Sequence, residues 1–166
     1  MKVEQIAFTF VFLLILLAQV LVLNHIHLFN CATPLLYVYL ALDFHRNYPR
    51  WAILVVCFVA GLIVDTFSNT QGVASASMTL VGFLQPLVFD LFITRESDEE
   101  MQPTMKALGF RRYLYYSTIL TMIYCLTFFT VEMFSFFNWQ QWGFSIIGSF
   151  VLTEVLILVM AGVRKR

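Results

Sequence analysis

The chain has 166 residues, 60% of them hydrophobic and 12% charged, with a formal net charge of zero. Soluble domains carry roughly a quarter charged residues, so these proportions exclude an ordinary water-soluble globular domain and point to a single membrane-embedded one over 1–166. No nucleic-acid partner is expected. Cys31, Cys57 and Cys125 have no CxxC spacing and no neighbouring His pair, so they are read as apolar filler and no metal or other cofactor is expected.

A hydrocarbon core of about 30 Å needs roughly 20 helical residues at about 1.5 Å each. Six apolar runs are candidates: 6–23, 28–42, 51–67, 73–93, 113–137 and 142–163. The first follows Lys2 in the order of a signal peptide, yet it is too long for an h-region and no small-x-small site follows, so it is expected to remain as an anchor. The second is the weakest, with Pro34 near its start, and is expected to be tilted, broken or partly re-entrant. In the fourth, Pro86 frees the carbonyl of Gly82; a kink is expected there, with Gln85 placed to satisfy the freed group. The sixth carries Ser145, Ser149 and Thr153 at four-residue spacing, a stripe suited to close helix packing.

Basic residues set the orientation, since they are retained on the cytoplasmic side. Lys2 precedes the first run, Arg46 and Arg50 separate the second and third, Arg95, Lys106, Arg111 and Arg112 separate the fourth and fifth, and Arg164, Lys165 and Arg166 follow the sixth. The other three connections contain no Lys or Arg, so with six crossings all ten cations fall on one side and both ends lie in the cytoplasm. Dropping the second run would place Lys2 opposite the rest. The cytoplasmic loop also holds the acidic stretch 96–100, a solvated segment or a docking surface for a cytoplasmic partner.

Carboxylates within membrane spans are costly and are functional candidates until depth or pairing explains them. Counting from the basic residues places Asp43 and Asp90 at the inner interface and Asp65 and Glu132 near the outer one. Glu154 stands apart: ten residues from Arg164 and twelve from Trp142 put it near the midplane. Gln85 and Thr121 fall at a similar level and Tyr39 not far from it, which suggests a polar cluster joining the fourth, fifth and sixth helices. Two readings stand for it: interhelical hydrogen-bond glue, or a ligand or proton site.

Residues 60–82 read A-G-L-I-V-D-T-F-S-N-T-Q-G-V-A-S-A-S-M-T-L-V-G. Gly61 permits close helix approach, Ser68-Asn69-Thr70-Gln71 makes a polar turn, and Gly72 with Ala76 is a small-xxx-small pair, so a tight hairpin is expected. Asp65 either caps the turn through backbone N–H groups or meets a partner at the outer surface. His25 and His27, with Asp65, are a weak metal or pH-sensing pattern. G-x-S-x-G, H-E-x-x-H and P-loop signatures are absent, which disfavours an enzyme.

At Gly61-Leu62-Ile63-Val64-Asp65 and Gly72-Val73-Ala74 the chain resembles the bacterial rod shape-determining protein MreD family, whose pattern is G-L-x-x-D followed some seven residues later by Gly and a small residue. The resemblance extends over the whole chain in length, spans and basic tail. It implies a non-enzymatic subunit of the cell-elongation complex in the bacterial inner membrane, bound to the bitopic protein MreC and through it to the MreB cytoskeleton and the peptidoglycan transpeptidase and glycosyltransferase. It also implies a fold like that of the S components of energy-coupling-factor transporters, with Gly61, Asp65 and Gly72 as the matching positions. The runner-up is therefore a vitamin-transporter S component, although the first helix bears Phe8, Phe10 and Phe12 where that family has a small-residue A-x-x-x-A stripe. A third reading, an enzyme acting on lipid headgroups, has only Asp90 with Arg95 to start from.

Overall fold

A computed structural model describes residues 2–21, 33–70, 72–93, 101–133 and 139–164. Among them the regular structure is helical: α1 Lys2–Leu21, α2 Val38–Leu42, α3 Arg50–Ser68, α4 Val73–Phe92, α5 Met105–Leu108, α6 Phe110–Glu132 and α7 Trp139–Arg164. Helices follow from the solvent, because in hydrocarbon a chain must satisfy its own N–H and C=O groups and a helix does so within one segment. Four of them are long and apolar enough to cross a bilayer: α3, α4, α6 and, within α7, Trp142–Val163. The protein is thus a membrane protein. The outward faces of these helices agree, carrying Phe58, Phe83, Leu91, Ile119 and Val155 exposed, a surface that lipid covers without penalty.

Local chemistry sets the helix ends. Pro49 starts α3 from an extended φ of −62° and ψ of 125°, and Asn69 ends it in the left-handed region at φ 56° with its N–H on the Asp65 carbonyl. Thr104 caps α5 by accepting from the Ala107 N–H at 3.3 Å, and Gly109 opens α6 at φ 81°. The expected kink at Pro86 is not accompanied by a break, for α4 runs through it to Phe92.

α3 lies against α4, α4 against α6 and α6 against α7, while α1 rests on α3. The α3–α4 pair is the tightest, and glycine is the reason. A Cβ on Gly61 would lie 2.3 Å from the Ser75 Cα, and one on Gly82 2.7 Å from the Cys57 Sγ, so the two helices touch backbone to backbone at one end and backbone to thiol in the middle. Cys57 and Cys125 are buried and free, as filler should be; Cys31 is outside the described residues.

The second apolar run departs from expectation. Of its described part only Val38–Leu42 is helical, about 7.5 Å of rise, and residues 33–37 are not. Pro34 has no N–H to donate and disfavours the helical region for Thr33, so the helix begins only after a turn closed by the Val38 N–H on the Leu35 carbonyl at 3.2 Å. Residues 34–42 are nevertheless buried throughout, and α2 touches α3, α4 and α6: the segment runs through the bundle interior.

Candidate functional site

Irregular backbone at membrane depth must be satisfied by protein, and side chains from four helices do this around residues 33–44. The Thr33 N–H donates to Ser149 Oγ at 3.0 Å and the Leu35 N–H to Thr153 Oγ1 at 3.1 Å, both on α7. Gln19 of α1, fully buried, accepts the Leu36 N–H on Oε1 at 2.9 Å and donates from Nε2 to the Pro34 carbonyl at 2.9 Å. At the far end Tyr116 of α6 donates its hydroxyl to the Leu42 carbonyl at 3.0 Å, and Gln85 of α4 donates Nε2 to the Phe44 carbonyl at 3.1 Å and to Tyr116 Oη at 3.0 Å. Between them the hydroxyls of Tyr37 and Tyr124 are hydrogen-bonded, with their rings edge to face at 5.7 Å.

This arrangement corrects two expectations. Gln85 serves the Phe44 carbonyl and Tyr116, not the carbonyl of Gly82, because the backbone following α2 faces it across the bundle. Ser149 and Thr153 line the path of 33–36 as acceptors for its backbone instead of forming a bare stripe for helix packing. Gln19, Tyr116 and Tyr124 were not singled out from sequence; a lone Gln inside the apolar run 6–23 is the signal that would have found the first.

The hairpin forms one cooperative unit. The Asp65 Oδ1 accepts from the Ala74 N–H at 2.9 Å and the Thr70 hydroxyl at 2.6 Å, and Oδ2 accepts from the Ser75 N–H at 2.8 Å. Ala74 and Ser75 stand in the first turn of α4, so the buried carboxylate from α3 caps the neighbouring helix where its dipole is positive. Gly61, one turn earlier on the same face of α3, makes the reach possible: its missing Cβ would sit 2.6 Å from the Ser75 nitrogen and 2.8 Å from the Ala74 oxygen. Gly72 precedes α4 at φ 80°, a backbone conformation that favours glycine, and its carbonyl accepts from the Ala76 N–H at 3.1 Å. Of the two readings for Asp65, the capping one is what the geometry contains.

Glu154 is buried on α7 facing α6. Its Oε1 accepts from the Ser117 hydroxyl at 2.5 Å and from Thr118 Oγ1 at 3.3 Å. Thr121, one turn on from Ser117, stands beside the same carboxyl. Glu154 Oε2, Thr121 Oγ1 and Trp142 Nε1 are buried without a hydrogen-bond partner among the described residues. The expected midplane cluster therefore divides. Tyr116 and Ser117 are consecutive on α6 and point about 100° apart, so Gln85 meets one flank of that helix and Glu154 the other. Tyr39 lines a cleft of about 90 Å³ with Lys106, Thr104 and Tyr113 at the basic end of the bundle.

At that end Arg46 Nε lies 3.3 Å from Asp90 Oδ1, half exposed, and the Arg46 N–H donates to the Met101 carbonyl at 3.2 Å, which ties the two basic connections together. Residues 25, 27 and 96–100 lie outside the described residues. Comparison with protein-family models, with curated proteins and with solved structures found no match.

Proposed function

We propose that this chain is a non-enzymatic, multi-pass subunit of the bacterial cell-elongation complex, similar to MreD, in the cytoplasmic membrane. The observation that carries the reading is the joint geometry of Gly61, Asp65 and Gly72: the three positions of the resemblance converge on the first turn of α4, as glycine contact, carboxylate cap and left-handed entry. A short motif shared by chance has no reason to assemble into one device. On this reading the device fixes the outer end of the α3–α4 pair, the surface offered to a bitopic MreC-like partner, through which the complex engages MreB and the peptidoglycan transpeptidase and glycosyltransferase.

Six crossings with both ends in the cytoplasm belong to this proposal, and the Arg46–Met101 bond supports it by placing two basic connections at one end of the bundle. The packed interior favours a scaffold over the alternative, a vitamin-binding S component: Tyr37, Val38 and Ala41 occupy the bundle centre at 0% exposure, where a small-molecule site of roughly 300–1,000 Å³ would have to open. The deciding experiment is purification from native membranes under mild detergent. Recovery of a single-span protein with a large outer domain is the expected result; recovery of a pair of ATPases, or of a bound vitamin, would refute the assignment.

A further inference from the structure

We propose that the cleft where α2, α5, α6 and α7 meet, at the basic end of the bundle, binds the phosphate of an anionic phospholipid with Lys106 as its counter-ion. Tyr39, Thr104, Lys106 and Tyr113 bring one ammonium and three hydroxyls to this cleft, and none of the side chains lining it is acidic. An ammonium group only donates, so the wall suits an anion and disfavours a cation. Thr104 Oγ1 accepts from the Ala107 N–H at 3.3 Å, and its own hydrogen is left to donate.

Size and depth choose among anions. The volume of about 90 Å³ is about three times the ~30 Å³ that a water molecule takes up in the liquid. That is room for a phosphate-sized group, and far below the roughly 300 Å³ at which pockets for drug-sized ligands begin. Tyr113 stands three residues inside the span that starts at Phe110, and Ala161 two residues inside the span that ends at Val163. The walls therefore reach about 3–5 Å below the helix ends, within the interfacial layer of roughly 5–8 Å on each side of the hydrocarbon core where lipid headgroups lie. The α7 wall is low: Ala161 contributes one methyl group, and a Cβ on the adjacent Gly162 would meet nothing within 4 Å. Phe110 and Val163, at the ends of the two spans, are exposed. They offer apolar surface to the glycerol and acyl carbons that a free phosphate ion lacks.

Charge favours the same ligand. Asp90 is engaged by Arg46, whereas Arg50, Lys106, Arg111 and Arg112 make no ion pair among the described residues. Cations gathered at one end of a membrane protein attract an anionic leaflet, and basic pockets between membrane helices hold its headgroups. Of these four, Lys106 is the one that lines the cleft. Such a site depends on membrane location alone, not on the partner complex proposed above.

Thermal unfolding of the full chain in maltoside micelles tests the site, with phosphatidylglycerol, phosphatidylcholine or sodium phosphate added in increasing amounts. A ligand that binds only the folded protein raises the midpoint. Phosphatidylglycerol should raise it more than phosphatidylcholine, and the lipid fraction giving half the rise should increase about fivefold or more in Lys106→Gln. Ala161→Leu keeps every charge but fills the cleft, and should weaken the response to a similar degree. Arg50→Gln removes the same charge outside the cleft and should weaken it less. Equal rises with the two lipids, a wild-type response in Ala161→Leu, or equal responses in Lys106→Gln and Arg50→Gln would each overturn the site in favour of diffuse surface attraction. If sodium phosphate, compared with sodium chloride at equal ionic strength, reproduces the whole rise, the cleft takes a free anion and the lipid assignment is overturned. Should Ala161→Leu fail to fold, the comparison of Lys106→Gln with Arg50→Gln decides alone.

Discussion

Gly61→Ala is the substitution on which the hairpin argument is most exposed. The new methyl carbon would lie 2.3 Å from the Ser75 Cα and 2.6 Å from its nitrogen, both backbone atoms that cannot swing aside. Restoring an ordinary carbon–carbon separation of about 3.5 Å requires the first turn of α4 to retreat by roughly 1.2 Å. The Asp65 bonds to the Ala74 and Ser75 N–H groups, 2.9 and 2.8 Å long, would then approach 4 Å, too long for a hydrogen bond. One methyl group thus costs overpacking of about 1–3 kcal/mol together with loss of the cap, about 3–5 kcal/mol in all. Asp65→Ala alone should cost about 2–4 kcal/mol. Because both act through the same contact, the double variant should fall short of the sum by about 1–3 kcal/mol. Equilibrium unfolding in mixed micelles, followed by circular dichroism, measures all three. Additivity within about 0.5 kcal/mol, or a Gly61→Ala cost below about 1 kcal/mol, would refute the coupling of glycine contact and cap.

Other outcomes follow from single positions. Gly72 has space, its virtual Cβ meeting only the Ser75 Oγ at 3.8 Å, so Gly72→Ala should cost only the left-handed strain of about 1–2 kcal/mol, and Gly72→Asn less, in the same unfolding assay. Gln19→Leu keeps volume but strands the Leu36 N–H and the Pro34 carbonyl; a loss of about 2–4 kcal/mol is expected, with faster amide exchange confined to the segment after Pro34. Arg46→Ala removes a half-exposed pair with Asp90 and should shift stability by no more than about 1 kcal/mol, an outcome thermal unfolding can check.

The parts legible in the sequence were those set by local distance. The hairpin was readable because Asp65 and the turn whose N–H groups it accepts lie within ten residues of each other, and because Gly61 and Asp65 share a face at four-residue spacing. The weakness of the second run was readable from Pro34 alone. The route of residues 33–44 was not, since it depends on acceptors contributed by Gln19, Ser149 and Thr153 from distant runs. The polar cluster fails for a related reason. Counting residues from the helix ends gives depth, and Gln85, Tyr116, Ser117 and Glu154 do share a level; it gives no azimuth, and α6 turns Tyr116 and Ser117 to different flanks. In lipid a buried and an exposed apolar face look alike in composition, so the side of α6 that each helix takes is a property of the packed bundle.

The topology behind the account can be measured with one reagent. In a background with Cys31, Cys57 and Cys125 replaced, single cysteines at Phe67, exposed beside the hairpin, and at Gln102, exposed in the basic connection, would be challenged in intact cells with a membrane-impermeant maleimide. Phe67→Cys is expected to label from outside and Gln102→Cys only after the membrane is opened. Labelling of Gln102→Cys in intact cells would place the cations outside and contradict an orientation with both ends in the cytoplasm and the hairpin at the outer surface.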